Sequence, residues 1–318
     1  MAKGTVVVKA EEVDKDYDLG KALVHAVRDI SFEVVSGEYV ILFGPSGCGK
    51  STVLNLVAGL EKPTHGRIII RGQRIDKFSR SEMAKYRRRK IGLVFQNFNL
   101  IRSMNTVQNI AYPLMASGIS KRVRERRALN ILKRFEMKKI AKQHPTQLSG
   151  GEQQRVAICR ALSCNPWILI ADEPTGNVDS KNSQVIMDIF YRQNRKSKRT
   201  VLLVTHNQDY LKYANRVFYM KDGKIEKVQV IKEKVAGRKG EEQYLDLEDL
   251  PHIGEKLAER LEKEGFHEVE DIADSTPEKL SKIEGVSEGA ALEIIRLSKK
   301  EMAKRTEEEK RAKYEEEE

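Results

Sequence analysis

The stretch that most constrains this chain is Gly44-Pro45-Ser46-Gly47-Cys48-Gly49-Lys50-Ser51-Thr52, which fills the pattern GxxxxGK[ST]. The apolar run Tyr39–Phe43 leads into it, and the helical pattern Val53–Ala58 follows and closes at Gly59. The order is strand, glycine loop, helix. Glycines let successive backbone N–H groups turn inward, where a Cβ would clash, and so build a concave anion site at a helix N-terminus. Lys50 is placed to reach the β- and γ-phosphates of a nucleotide, and the Ser51 hydroxyl to hold Mg²⁺.

With 318 residues, 40% of them apolar, the chain can build one large α/β domain and a small one. The formal charge of +11 divides unevenly. Residues 1–240 carry 45 Lys+Arg against 22 Asp+Glu, a net +23, whereas residues 241–318 carry 13 against 25, a net −12. The basic part suits anionic partners such as nucleotide, acidic headgroups or nucleic acid. The acidic part argues against strong phosphate-backbone binding by the C-terminal region. Cys48, Cys159 and Cys164 have neither CxxC spacing nor an even framework, which fits a reducing, cytosolic compartment. Cys159 and Cys164 fall in a helical pattern and read as packing residues. No apolar stretch has signal-peptide length, and none approaches the ~18–20 residues of a membrane span. Membrane work would therefore need a separate protein.

Short strands are predicted over Thr5–Lys9, Ile30–Val35, Tyr39–Phe43 and Arg67–Arg71, with Tyr17 in a polar loop. Tyr17 reads as a surface tyrosine or as one that stacks on a base. In the basic helix Ser81–Lys90, the run Arg87-Arg88-Arg89-Lys90 is a solvated face or a patch for anionic membrane or a partner. The strand Ile91–Phe95 delivers Gln96, a loop residue or one that reaches the metal. Helices are predicted over Asn105–Met115, Ser120–Arg134 and Gly150–Cys164. The last opens with Leu148-Ser149-Gly150-Gly151-Glu152, a serine cap that could also be a second anion site; two glycines do not serve capping alone.

The run Trp167–Ala171 reads as a buried parallel strand. It sets Asp172 and Glu173 at its C-terminal end, where α/β sheets place ligands. Adjacent carboxylates there are costly without compensating charge or metal. Asp172 reads as the Mg²⁺-associated acid and Glu173 as the base that orients water. Gly176–Ser180 caps a helix over Lys181–Asn194, and the strand Thr200–Thr205 ends at His206, a structural histidine or a γ-phosphate sensor. Arg216–Met220 and Lys224–Val230 read as a closing hairpin.

In order, these motifs resemble the complete set of an ABC-type ATPase over about residues 3–231: aromatic A-loop, Walker A, Q-loop, signature, Walker B with glutamate, D-loop and H-loop. Arg88–Leu100 and Ala171–Ser180 are most similar to the lipoprotein-releasing and macrolide-exporting branch. The resemblance implies an α/β P-loop NTPase with a mainly parallel sheet, an antiparallel β subdomain and a helical subdomain. Tyr17 would stack on adenine, Gly44, Pro45, Ser46, Gly47, Cys48, Gly49, Lys50, Ser51 and Thr52 would cradle the phosphates of ATP, and Ser51, Gln96 and Asp172 would surround Mg²⁺. Glu173, His206, Lys50 and Gln96 would carry catalysis. Ser149, Gly150 and Gly151 would close on the ATP of a second subunit, with Asp179 across the same interface, in a head-to-tail homodimer. Asn177-Val178 in place of the common Ala-Leu, and Glu152 in place of Gln, depart from the family pattern.

The domain plan is an ATP-binding domain over 1–235, a linker over 236–246, a second unit over 247–298 and a charged tail over 299–318. In the second unit Leu250, Ile253, Leu257, Ala258 and Leu261 repeat as Ile283, Val286, Ala290, Ala291 and Ile294, an offset of 33 residues. This resembles tandem helix-hairpin-helix repeats, a small all-α domain most similar to the N-terminal domain of archaeal recombinases. His252 and Ser287 each replace a glycine of the usual hairpin. In that family the hairpins contact DNA phosphates; the net acidic segment favours a protein-contact or structural role here.

The expected function is an ATPase subunit of a membrane transporter, a dimer lying in the cytoplasm against the inner face of the membrane beneath a separate permease. The rival is a soluble ABC ATPase of DNA maintenance. Such ATPases insert long coiled coils or zinc modules before the signature, and Gln96 and Ser149, only 53 positions apart, leave room only for a compact helical subdomain.

Overall fold

The computed structural model describes residues 5–18, 20, 22–231, 253, 257, 260, 261, 264, 266 and 269–314. The expected linker, and the repeat positions Leu250, His252 and Ala258, lie outside the described residues, as do the last four positions of the tail. By packing, the chain divides into Met1–Val235 and Ala236–Glu318.

The first unit contains two sheets. One is antiparallel, with β1 (Val6–Asp18), β2 (Leu23–Val35), β4 (His65–Ile70) and β5 (Gln73–Arg74) in the order β2-β1-β4-β5. The other runs β10-β9-β3-β8-β7-β6, built from β3 (Tyr39–Phe43), β6 (Ile91–Val94), β7 (Ile168–Asp172), β8 (Thr200–Thr205), β9 (Arg216–Lys221) and β10 (Lys224–Val230). Its strands are parallel except the edge strand β10.

The parallel strands are buried on both faces, so they read as continuous apolar runs. Alternate residues of β3 divide between two cores. Val40 and Leu42 pack with α1 (Lys50–Val57) through Val53, Leu54 and Leu56. Tyr39 and Ile41 pack with Ile158 of α5 (Gly150–Leu162) and with Ile186 and Phe190 of α6 (Ser180–Arg195). A third core joins Ile110 and Ala111 of α3 (Thr106–Ala116), Ala128 and Leu132 of α4 (Lys121–Arg134), and Val156 and Cys159 of α5. That core is the helical subdomain.

One expectation is corrected. Lys15–Asp18 is the end of β1 and not a loop: Tyr17 pairs with Val24 and Asp18 with Leu23. The polar sequence hides a strand because pairing with β2 carries its backbone to Asp18, beyond Asp14 where the pairing with β4 ends, a tertiary effect that outweighs residue preference. The basic run of α2 (Arg80–Lys90) is tied into the fold. Arg87 and Arg88 donate to the carbonyls of Gly59 (2.6 Å) and Ala116 (2.9 Å). Lys90 and Arg71 flank the Trp167 ring at 3.3 and 3.5 Å from its centroid, where cation–π attraction adds to packing.

The second unit is helical where described, with α7 (Val269–Ala273), α8 (Pro277–Leu280) and α9 (Glu288–Tyr314). Three repeat pairs, Ile253 with Val286, Leu257 with Ala290 and Leu261 with Ile294, share one core with Ile272 and Leu280. Ser287, standing where a hairpin glycine was expected, accepts from the Ala290 amide through its hydroxyl (3.2 Å) and so caps α9.

Candidate functional site

The site is built at the C-terminal ends of β3, β7 and β8. The loop Gly44–Gly49 leaves β3 and enters α1, whose first residues are Lys50 and Ser51. Gly49, at φ +95°, caps the helix in a conformation that L side chains rarely adopt. A Cβ there would stand 2.2 Å from the Ala26 carbonyl. The Cys48 carbonyl accepts from the Gly223 amide (3.2 Å), so the β9–β10 turn braces the loop. Lys50 is 4% exposed, and its ammonium donates to the carbonyls of Gly44 (2.9 Å) and Pro45 (2.7 Å). A buried cation whose described hydrogen-bond partners are neutral, two carbonyls and the Cys48 sulfur, suits a phosphate.

The Ser51 hydroxyl donates to Asp172 Oδ1 at 3.0 Å. Burial pushes the Asp172 carboxyl above its ordinary range, and the neighbouring Glu173 adds to this; Ser51 and Lys50 act against it. Hydroxyl and carboxylate oxygens are hard donors of the kind Mg²⁺ takes. Among the described residues no cluster of three or more His, Cys, Asp or Glu could hold a metal by itself. Mg²⁺ fits this pair when nucleotide phosphates and water complete its shell, as is usual for it.

Glu173 follows directly. Its amide donates to the Val204 carbonyl of β8 (3.0 Å) and its φ is +43°, an uncommon conformation for a residue with a side chain. His206, one residue beyond β8, has Nδ1 3.0 Å from Glu173 Oε1. Gln96, beyond β6, lies against Gly176, where an added Cβ would come within 2.7 Å of its Nε2. The structure thus gathers Lys50, Ser51, Asp172, Glu173 and His206 along one sheet edge.

Tyr17 is anchored separately. Its hydroxyl donates to Glu61 Oε2 at 2.5 Å, and Glu61 also accepts from Asn55 (2.9 Å). Glu61 was missed by sequence reasoning, since nothing in its neighbourhood marks it as a partner of a residue 44 positions earlier. Ser149 and Asp179 serve as caps. Ser149 shares a capping box with Glu152, whose carboxylate accepts from the Ser149 amide (2.9 Å) and hydroxyl (2.8 Å). The departure from Gln to Glu at this position places a negative charge in the first turn of α5. Asp179 caps α6 through the Asn182 amide (3.0 Å). The paired glycines have a steric role within the chain: a Cβ on Gly151 would stand 2.5 Å from Asn182 Cγ, and one on Gly150 3.1 Å from the Asn177 carbonyl.

The family model described as ABC transporter matches residues 27–176, and the SAM-like helix-hairpin-helix tandem model matches residues 244–298. The ABC transporter ATP-binding protein MJ0796 of Methanocaldococcus jannaschii is 40% identical over 230 residues, 71% of this chain and 98% of that protein. The macrolide export ATP-binding/permease protein MacB of Syntrophobacter fumaroxidans is 41% identical over 222 residues, 69% of this chain and 31% of MacB. The dimeric post-hydrolysis structure of the MJ0796 cassette, bound to ADP and Pi, superposes with a TM-score of 0.67 at 39% identity, covering 71% of this chain and all of that one.

Proposed function

The chain belongs to the ABC transporter family as an ATP-binding, ATP-hydrolysing subunit that uses ATP with Mg²⁺, and we propose that it works as a head-to-tail dimer beneath a separate permease. Lys50 and the amides of Gly44–Thr52 hold the phosphates. Ser51, Asp172 and Gln96 would hold Mg²⁺, which would supply charge neutralisation at the phosphates. Glu173 accepts a proton from the attacking water, and His206 holds the γ-phosphate. The carrying observation is Glu173, fixed to β8 with His206 3.0 Å away and next to the Ser51–Asp172 pair.

Ser149 to Gly151 and Asp179 act across the dimer, and the likeness to the dimeric MJ0796 cassette supports this. ATP favours the closed dimer, and hydrolysis removes the γ-phosphate contacts that hold it. No helix among the described residues is long and apolar enough to cross a membrane. In this reading a partner supplies the pathway and the chain sits peripherally on the inner face. Placement in the macrolide-exporting branch is supported by MacB, whose name joins an ATP-binding part to a permease. The domain plan is 1–235, 236–246, 247–298 and 299–318, with the acidic helix-hairpin-helix unit in a protein-contact or structural role. Its likeness to recombinase domains rests on the sequence repeat alone.

Glu173→Gln, purified in detergent from its native cells with ATP, tests the reading. A stoichiometric multi-pass membrane protein is expected to accompany it. Nucleic acid or repair proteins without a permease would overturn the transporter role.

A further inference from the structure

Strands β6 and β7 are paired only as far as Val94 and Ala171, so the backbone ladder stops short of both Gln96 and Glu173. Two amide side chains cross the gap beyond it. Gln154 of α5 is fully buried, and its Nε2 donates to the Phe95 carbonyl (3.1 Å) and to the Pro174 carbonyl (2.7 Å). Asn177 donates from Nδ2 to the Gln96 carbonyl (3.1 Å) and to Asn97 Oδ1 (2.9 Å). The segment 95–97 is thereby laced to 174–177 on both sides of the loop. Arg160, also on α5, extends the grip with bonds to the Phe98 (3.0 Å) and Asn99 (2.6 Å) carbonyls.

Chemistry fixes both amides in this sense. Turning either over would set its oxygen against the oxygens it now serves. Gln154 Oε1 has no partner, although it is buried. An unpaired buried oxygen is destabilising, and an apolar side chain of similar shape would avoid it. The donors therefore have a value that simple packing does not explain. Glu173 supplies one. Its φ of +43° persists only where neighbours over-determine it. The Val204 carbonyl holds it on the β8 side, and Gln154, through Pro174, holds the residue after it on the β6 side.

We propose that Gln154 and Asn177 are positioning residues, a two-amide clip that sets Glu173 against Gln96 for hydrolysis. Neither touches the reacting atoms. This role rests on Glu173 being the base. Misplacement of a reacting group by about 1 Å lowers the rate by about a hundredfold, so loosening one side of the clip should act on kcat.

The test is steady-state phosphate release by the full chain over a range of MgATP, with thermal melting alongside. Gln154→Met, which keeps the volume and removes both donors, should lower kcat about ten- to a hundredfold. Asn177→Ala, at an exposed site where folding is not at stake, should lower it about three- to tenfold. In both, KM for ATP should stay within about twofold, a split that general loss of structure would not give. Wild-type kcat in Asn177→Ala and in folded Gln154→Met, beside an inactive Glu173→Gln, would overturn the clip alone. If Gln154→Met does not fold, Asn177→Ala decides. Hydrolysis that survives in Glu173→Gln would instead remove the base assignment, and the clip with it.

Discussion

Gly49→Ala separates what the loop needs for folding from what it needs for binding. A Cβ at Gly49 would stand 2.2 Å from the Ala26 carbonyl, about 1.2 Å short of the 3.4 Å at which ordinary contact begins. The carbonyl cannot easily retreat. The amide of Arg28, two residues along β2, donates to the Gly223 carbonyl (2.9 Å), and the Gly223 amide holds the Cys48 carbonyl (3.2 Å). A positive φ costs an L-residue about 1–2 kcal/mol, and overpacking adds about 1–3 kcal/mol. A loss of about 3 kcal/mol follows, or about 6–12 °C in Tm for a unit of this size. The loop must also shift, so MgATP should bind at least about tenfold more weakly. Gly47→Ala is the control. Its φ is +80° but no atom lies within 4 Å of its Cβ position, so only the backbone term of about 1–2 kcal/mol applies. Scanning calorimetry and titration with a fluorescent ATP analogue measure both effects. Equal melting and equal affinity for the two variants would refute the steric argument.

Two further outcomes follow from burial. Because Asp172 holds its proton more tightly folded than unfolded, its contribution favours folding below the unfolded value of 3.8 and is lost as pH rises through the raised folded value. Asp172→Asn should therefore melt higher than wild type at pH 7 without nucleotide, lose that advantage below about pH 4, and fail in Mg²⁺-dependent hydrolysis; a lower melting point at pH 7 would contradict this. Cys159 is fully buried and burial pushes its thiol up, so maleimide at pH 8 should leave it unlabelled until the chain is unfolded, and rapid labelling of the folded chain would count against that packing.

The phosphate loop and the Asp172-Glu173 pair were legible because each is a contiguous pattern tied to a strand end, and the parallel strands declared themselves as apolar runs. Tyr17 was legible as a residue but not as part of a strand. Its polar neighbours carry no alternation, and pairing with β2 supplies the order. Glu61, Gln154 and Asn177 were not legible as partners. Gln154 joins segments 59 and 20 positions away, and such contacts exist only once three chain segments have converged. The double glycine is unhelpful for capping alone, and the reason for it, the approach of Asn182 and the Asn177 carbonyl, is likewise tertiary.

The most direct measurement is ATP turnover by Glu173→Gln alongside its mass in solution. The variant should bind MgATP, sediment as a dimer only when ATP is present, and release phosphate at least about a hundredfold more slowly than wild type, in keeping with the usual contribution of a general base. Phosphate release at the wild-type rate would contradict the assignment of Glu173, and a monomer with ATP bound would contradict the dimer.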